Sequence, residues 1–274
     1  MELQSTRRQG AVAPTTDKTY DLGTGNLRLE QDGALAWCVI DRPHARNALT
    51  PAMYYGIKRA VHLVNSEPEL AALIITGTDD VFAPGGDLGG RTEDHESPVG
   101  GLGSDILPFL AVRDSPAPVI AAVNGICQAG GLLIAMMADI AVVSERSTFR
   151  VPELLRGIPD ATYAAALPVH VGMAVARDLL LSARSFDAAE AQRIGLLSRV
   201  VAHDDLRSAA VEAATQVLRT APSARVHVKR MLNERYGPID YQTMFWALEH
   251  SPEPREGMSA FMEKRLPEWA PDEG

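Results

Sequence analysis

The sequence predicts an α/β fold with a helical C-terminal region. Short apolar runs of strand length alternate with helical stretches up to about residue 200, which is typical of β-α units around a largely parallel sheet. Beyond that point the pattern is almost wholly helical, with one short strand at 199–201. Hydrophobic residues make up 46% of the 274 positions and charged residues 22%, the usual balance of a folded globular chain.

The first part of the chain is expected to contain a mobile tail and a hairpin. Residues 1–20 are polar and show no apolar periodicity, so we expect them to form the tail. Leu27 and Leu29 alternate with polar residues, and an Asp-Gly turn then leads to a second strand at 35–40. Thr50 before Pro51 predicts the N-cap of a helix that ends near residue 65.

The remaining elements follow from apolar runs and helical spacing. Buried strands are expected at 70–76, 119–123 and 139–144. The expected later helices are 174–182, 188–194, 204–220, 223–235, 241–250 and 256–265. The chain therefore divides into the tail, an α/β core at 21–200 and a helical region at 201–274.

Charge and composition exclude several classes of partner. Lys plus Arg number 26 and Asp plus Glu 35, so the net charge of −9 disfavours nucleic acid and anionic membranes. No apolar segment approaches the roughly 20 residues of a membrane span, and no signal peptide is recognisable. The two cysteines, Cys38 and Cys127, form neither a disulfide framework nor a metal-ligand pattern. We expect a cytoplasmic protein without a bound metal.

Two glycine-bearing segments, at 85–86 and 129–131, follow predicted strands, and the second opens a helix at 131–137. Amide N–H groups at a helix start have no intrahelical acceptor and carry partial positive charge. Because glycine permits close approach, two such amides that converge can form an oxyanion hole. Glycines in purely structural turns give the same pattern, so taken alone it leaves both interpretations open.

Six segments in order carry motifs of one known family: 41–50 (DRPHARNALT), 82–88 (FAPGGDL), 121–131 (AAVNGICQAGG), 149–153 (FRVPE), 187–200 (DAAEAQRIGLLSRV) and 256–267 (EGMSAFMEKRLP). They resemble the crotonase family, also called the enoyl-CoA hydratase/isomerase superfamily, and the resemblance covers residues 26 to 269. The first segment resembles the family's R-P-x-x-x-N-A-L pattern, and the second its F-x-A-G-x-D-L pattern with Pro84 in place of the usual alanine.

The resemblance implies a spiral of β-β-α units, assembled as homotrimers or homohexamers, and an acyl-CoA thioester as substrate with no further cofactor. Backbone amides of Gly86 and Gly130 would form the oxyanion hole that stabilises a thioester enolate. The residues implied in CoA binding are Ala45, Arg46, Gly85 and Asp87, together with Phe261 and Lys264, which would reach the CoA of a neighbouring subunit.

One departure from the family pattern bears on the reaction. Hydratases of the family use two glutamates, and the first falls at Leu133 here, whereas the second is retained as Glu153. Leucine cannot activate water or move a proton, so we expect a single-base, isomerase-like migration of a double bond, with Leu133 against the acyl group. In a dry pocket the pKa of Glu153 should rise.

The role of Asp160 is compatible with more than one reaction. Asp160 falls near the position of a catalytic aspartate in related isomerases and dehalogenases, but Asp-Ala-Thr before an apolar run equally predicts a helix N-cap. The alternatives to an isomerase are therefore an enoyl-CoA hydratase or acyl-CoA hydrolase that uses Glu153 or Asp160, and a non-catalytic acyl-CoA-binding protein.

Overall fold

A computed structural model describes residues 20–87 and 107–271. The predicted tail, apart from Tyr20, lies outside the described residues, as do residues 88–106 and 272–274. The strands are β1 (Leu27–Asp32), β2 (Leu35–Ile40), β3 (Ala72–Gly77), β4 (Val81–Ala83), β5 (Val119–Val123), β6 (Ile126–Gln128), β7 (Ile140–Ser144), β8 (Thr148–Arg150), β9 (Phe186–Asp187) and β10 (Arg199–Val201).

The helices cover much of the chain from residue 161 onward. They are α1 (Pro51–Ser66), α2 (Phe109–Asp114), α3 (Gly130–Met137), α4 (Ala161–Val171), α5 (Met173–Ser182), α6 (Ala188–Arg193), α7 (Leu206–Leu218), α8 (Pro222–Asn233), α9 (Tyr241–His250) and α10 (Glu253–Glu263). None of the described helices is both long and apolar enough to cross a membrane.

The larger sheet has six strands in the order β1-β2-β3-β5-β7-β10. β1 and β2 form the predicted antiparallel hairpin, with Asp32 opposite Leu35. Every other neighbouring pair of this sheet is parallel, from β2 to β10. The largely parallel sheet that the apolar runs predict is therefore confirmed.

A smaller sheet, in the order β4-β6-β8-β9, was not predicted from the apolar runs. Its strands have only two or three residues, too few to show a periodicity of two. Each long strand β3, β5 and β7 is followed by a short one and then by a helix. This succession of β-β-α units is the spiral fold that the family resemblance implies.

The larger sheet is buried on both faces. In β2, Ala36, Cys38 and Ile40 pack toward α1 and the smaller sheet, whereas Trp37 and Val39 pack toward α7. Side chains alternate between faces along a strand, so a strand covered on both sides reads as an unbroken apolar run. The continuous runs that predicted the strands have this cause.

α2 escaped prediction, α4 was expected only as the helix that Asp160 would cap, and most of the other helices differ from prediction by a few residues at their ends. α2 has only six residues, and α4 is rich in alanine and contains Pro168, so neither shows a clear apolar stripe. Thr50 caps α1 as predicted, because its hydroxyl accepts a hydrogen bond from the Met53 amide at 3.2 Å. α10 begins at Glu253, three residues before its predicted start.

Candidate active site

The two glycine segments meet at one end of the smaller sheet. Leu49, just before α1, forms an isolated parallel bridge with Gly86. The Leu49 amide donates to the Gly85 carbonyl at 2.8 Å, and the Asp87 amide donates to the Leu49 carbonyl at 2.9 Å. In a parallel bridge these bonds use the neighbours of Gly86, so the N–H of Gly86 points to the opposite edge.

Gly130 lies beside this bridge. A methyl group built on Gly85 would lie 3.7 Å from the Gly130 nitrogen and only 2.5 Å from the Ala129 methyl carbon. Gly130 is the first residue of α3, so its N–H has no acceptor within the helix. The structure thus brings the Gly86 and Gly130 segments together, as the motifs led us to expect.

Ala129 has an unusual backbone conformation, with φ 48° and ψ −130°. This region is nearly reserved for glycine, and a residue with a side chain there stores strain of about 1–3 kcal/mol. Three hydrogen bonds hold the conformation. The Ala129 amide donates to the Arg150 carbonyl at 3.2 Å, and the Ala129 carbonyl accepts from the Leu133 amide at 3.1 Å and from the Tyr163 hydroxyl at 2.7 Å.

Tyr54, on α1, is a site residue that the sequence interpretation missed. A methyl group built on Gly130 would overlap its hydroxyl, and one built on Gly86 would lie 3.7 Å from that hydroxyl. Burial, with the charges of Glu153 and Asp160, raises the pKa of the Tyr54 phenol, so it stays protonated. Because this contact excludes any side chain at 130, it explains the glycine there.

Glu153 begins a 3-10 turn, Glu153–Arg156, and faces a cavity of about 330 Å³. Apolar side chains of this turn, α5 and α9 dominate the cavity wall, among them Leu154, Leu180 and Met244. The Oε2 atom of Glu153 is buried and has no hydrogen-bond partner among the described residues. Burial first, and then the charge of Asp160, raise the pKa of Glu153 to about 8.

Asp160 lines the same cavity and caps α4 as well. Its Oδ1 accepts the amides of Thr162 at 2.8 Å and Tyr163 at 2.9 Å. Burial raises the pKa of its carboxyl group, although these two hydrogen bonds act in the opposite direction. The N-cap interpretation of Asp160 is confirmed. A catalytic role stays a prediction, because one carboxylate can serve both purposes.

Leu133 lies in the first turn of α3 and is buried, with 1% of its surface exposed. It is absent from the residues that line the Glu153 cavity. Its side chain contributes to the hydrophobic core, and its contact with an acyl group stays a prediction.

The predicted CoA-contact residues around the Gly86 bridge form one connected segment. The Arg42 guanidinium, 2% exposed, forms an ion pair with Asp87 at 2.9 Å and donates to the Ala48 carbonyl at 3.1 Å. The Asn47 side chain accepts from the Arg42 amide at 2.8 Å and donates to the Val81 carbonyl at 2.7 Å. The Asp87 carboxylate therefore helps to fix the loop.

Ala45 and Arg46 lie at the outer end of this loop. Ala45 ends a short 3-10 turn, and Arg46 follows it with an exposed side chain and a left-handed backbone, φ 52°. An exposed guanidinium beside the Gly86 segment has the chemistry needed to bind a phosphate or an adenine ring. Their contact with CoA stays a prediction.

Phe261 and Lys264 lie on and just after α10, which packs against the turn that carries Glu153. The guanidinium of Arg156 stacks on the Phe261 ring, 4.4 Å from its centroid. Methyl groups built on Gly157 and Gly257 would lie 2.5 Å from backbone atoms of Glu253 and Arg156, so the two segments touch closely. Phe261 therefore lies against the turn that carries Glu153, and the contact of Phe261 and Lys264 with the CoA of a neighbouring subunit stays a prediction.

A second, larger cavity of about 510 Å³ lies between α2 and α8. The Lys229 ammonium in its wall donates to Asp139 at 2.7 Å and to the Ser115 carbonyl at 2.6 Å. These bonds fasten α8 to the core, so we assign this lysine a structural role.

The missed residues differ in the signals that they left in the sequence. Arg42 and Asn47 lie inside the R-P-x-x-x-N-A-L segment, so the motif itself pointed to them. Tyr54 and Tyr163 occupy helical positions and belong to no motif quoted above. Only the three-dimensional contacts with Gly130 and Ala129 identify them.

The comparisons with known proteins agree with the resemblance that the sequence motifs show. The family model described as enoyl-CoA hydratase/isomerase matches residues 30–272. The mevalonyl-coenzyme A hydratase of Aspergillus fumigatus is 36% identical over 247 residues, covering 85% of this chain and 90% of that protein. A probable enoyl-CoA hydratase of Mycobacterium bovis is 33% identical over 259 residues, covering 89% and 97%.

A solved structure also resembles the fold described here. The enoyl-CoA hydratase/isomerase from Pseudoalteromonas atlantica superposes with a TM-score of 0.76 at 28% sequence identity. The match covers 89% of this chain and all of that one.

Proposed function

Since the chain belongs to the enoyl-CoA hydratase/isomerase family, we propose that it moves a double bond along an acyl-CoA thioester, with Glu153 as the base. One observation carries the proposal. The Oε2 atom of Glu153 is buried beside an apolar cavity and has no hydrogen-bond partner in the described part of the chain, while Leu133 stands where the hydratase pattern has its first glutamate. A single carboxylate base suits a reaction that removes and returns one proton.

The amides of Gly86 and Gly130 are the proposed oxyanion hole. The Gly86 N–H points away from its bridge partner, and the Gly130 N–H opens α3, where the helix dipole adds partial positive charge. Removal of a proton beside a thioester places negative charge on the thioester oxygen. Two preorganised donors stabilise that charge, and the loss of one costs about 10²–10³ in rate.

One carboxylate accounts for every proton that this reaction moves. Glu153 takes a proton from C2 of a 3-enoyl thioester, and the electron pair of that C–H bond enters the conjugated enolate. The double bond then settles between C2 and C3, and the protonated Glu153 returns the proton to C4. No water is consumed, so the reaction does not need the other hydratase glutamate, whose position Leu133 occupies.

Hydration of a 2-enoyl thioester is the second candidate. The observation that favours it is the presence of Asp160 in the cavity of Glu153, close enough to raise the pKa of Glu153 by its charge. Two carboxylates can activate water and deliver a proton to carbon. The hydratase names of the two relatives agree with this candidate.

The test compares two substrates on one protein. We expect the native protein to convert 3-enoyl-CoA to 2-enoyl-CoA, followed by absorbance, and to hydrate 2-enoyl-CoA far more slowly, followed by mass. Glu153→Gln should lower migration by at least about 10²-fold, as expected for the loss of a general base. Glu212→Gln, on the exposed face of α7, is the matched control and should leave the rate unchanged.

Three outcomes would contradict the proposal in different ways. Faster hydration than migration by the native protein favours the hydratase. Full migration activity in Glu153→Gln means that another group is the base. Tight binding of acyl-CoA esters without turnover of any of them means that the chain binds the ligand and does no chemistry.

A further inference from the structure

Tyr163 is a buried polar group that the proposed mechanism does not use. Its side chain, on α4, is fully buried, and its hydroxyl donates to the Ala129 carbonyl at 2.7 Å. This phenol belongs to no motif quoted above. Its acceptor, however, belongs to the peptide group that carries the Gly130 amide.

The geometry of the peptide bond links the two groups. The Ala129 carbonyl and the Gly130 N–H lie in one plane and, in a trans peptide, point in opposite directions. A hydrogen bond that fixes the carbonyl on one side therefore fixes the N–H on the other. The same bond polarises the amide and strengthens the N–H as a donor.

The backbone of Ala129 is strained, and the hydrogen bond from Tyr163 opposes the relaxation of that strain. Its φ of 48° and ψ of −130° are conformations that glycine adopts freely and alanine does not. The Ala129 methyl group also lies so close to Gly85 that any side chain at position 85 would overlap it. Rotation of the 129–130 peptide would relieve the strain, but it would break the two hydrogen bonds to the Ala129 carbonyl and turn the Gly130 N–H away from its present direction.

We propose that Tyr163 is a positioning residue, which acts with the Leu133 amide to hold the strained Ala129 carbonyl so that the Gly130 N–H stays directed at the thioester oxygen. The inference rests on the proposed function, since it concerns the amide of the proposed oxyanion hole. Tyr163 touches no reacting atom and acts only through the backbone.

The test measures hydrogen bonding to the substrate carbonyl directly. Butanoyl-CoA labelled with ¹³C at the thioester carbonyl has no double bond to move, and its C=O stretch falls in frequency when donors bind it. We expect a clear downward shift with the native protein and less than half of it with Tyr163→Phe. For 3-enoyl-CoA, kcat should fall about 10–100-fold with KM changed less than about threefold, short of losing a whole donor.

A matched control and a rescue separate positioning from general destabilisation. Tyr236→Phe removes a phenol that pairs with His170 at 2.9 Å, outside the Glu153 cavity, and should leave the carbonyl shift unchanged. Ala129→Gly added to Tyr163→Phe should restore the shift, because glycine holds the conformation without strain. One lost hydrogen bond is a small part of the folding free energy, so we expect the variants to fold.

The outcomes distinguish this inference from the function on which it rests. No shift with the native protein would overturn the oxyanion hole and the inference together. A native shift that survives in Tyr163→Phe overturns the inference alone, as does an equal loss in Tyr236→Phe or a failed rescue. If Tyr163→Phe does not fold, the double variant is compared with Ala129→Gly: equal shifts support the inference, and a smaller shift in the double variant overturns it.

Discussion

At the scale of single residues, burial of Glu153 acts on only one of its protonation states. Moving the charged carboxylate out of water is unfavourable, whereas the neutral acid loses little. The nearby Asp160 adds like-charge repulsion, so the pKa of Glu153 rises from its ordinary 4.5 to about 8. A base with such a pKa is strong enough to take a proton from carbon and is still partly ionised near neutrality.

Activity should follow the ionisation of this group. We expect kcat/KM for double-bond migration to rise with pH and to reach half its maximum near pH 8, because only the carboxylate form of Glu153 takes the proton. A pH–rate profile from pH 5 to 9.5 measures it. A midpoint near 4.5 would mean that the acting carboxylate is fully hydrated.

The same pKa shift predicts a dependence of stability on pH. The unfolded chain releases the Glu153 proton near 4.5, whereas the folded protein keeps it until about 8. The stability that this group contributes is therefore complete below pH 4.5 and is lost as pH rises through 8. In thermal unfolding, the Tm of Glu153→Gln minus the Tm of the native protein should increase as pH rises from 5 to 9. A difference that stays constant over this range would contradict the assigned pKa shift.

At the scale of elements, Asp160 both caps the start of α4 and affects the electrostatics of the Glu153 cavity. Its carboxylate satisfies two amides at the helix start, and its charge acts on Glu153. Capping needs only an acceptor oxygen, which asparagine keeps. The charge needs the carboxylate.

Two substitutions separate these roles. Asp160→Ala should lower the free energy of unfolding by about 1 kcal/mol, the typical cost of a lost N-cap. Asp160→Asn should leave stability nearly unchanged, preserve migration and move the pH midpoint of Glu153 downward, because a like charge is gone. Thermal unfolding and the pH–rate profile measure both. Loss of all activity in Asp160→Asn at unchanged Tm would instead make Asp160 a second acid.

The elements also show which parts of the fold were accessible from sequence. The long strands of the larger sheet were predicted because burial on both faces leaves an unbroken apolar run, as in β5. The strands of the smaller sheet are too short for any period, and only the family resemblance implied them. The motifs likewise located Gly86, Gly130 and Glu153. Tyr54 and Tyr163 escaped because their roles depend on contacts between distant segments.

At the scale of the whole molecule, the C-terminal helices leave large apolar side chains uncovered. On α8 and α9 the half-exposed or exposed residues are Val228, Met231, Leu232, Phe245 and Trp246. Several exposed apolar side chains on neighbouring turns of a helix are typical of subunit interfaces. It agrees with the homotrimer or homohexamer that the family resemblance implies.

Light scattering coupled to size exclusion tests the assembly. We expect a mass of about three or six times the 29.5 kDa chain. Leu232→Lys, which places a charge at a 63%-exposed apolar position, should reduce that mass without lowering helix content in circular dichroism. A native protein that elutes as a single chain at micromolar concentration would contradict the prediction.

Because α10 packs closely against the turn that carries Glu153, the position at which this protein is tethered matters. Gly157 and Gly257 let backbone meet backbone there, so a displacement of α10 would be passed to the turn that carries the proposed base, Glu153. A purification handle, fusion partner or surface anchor joined after residue 274 would pull on that contact. The hairpin β1–β2 lies at the edge of the larger sheet and takes no part in that contact, so the amino-terminal side is the better place to tether this protein.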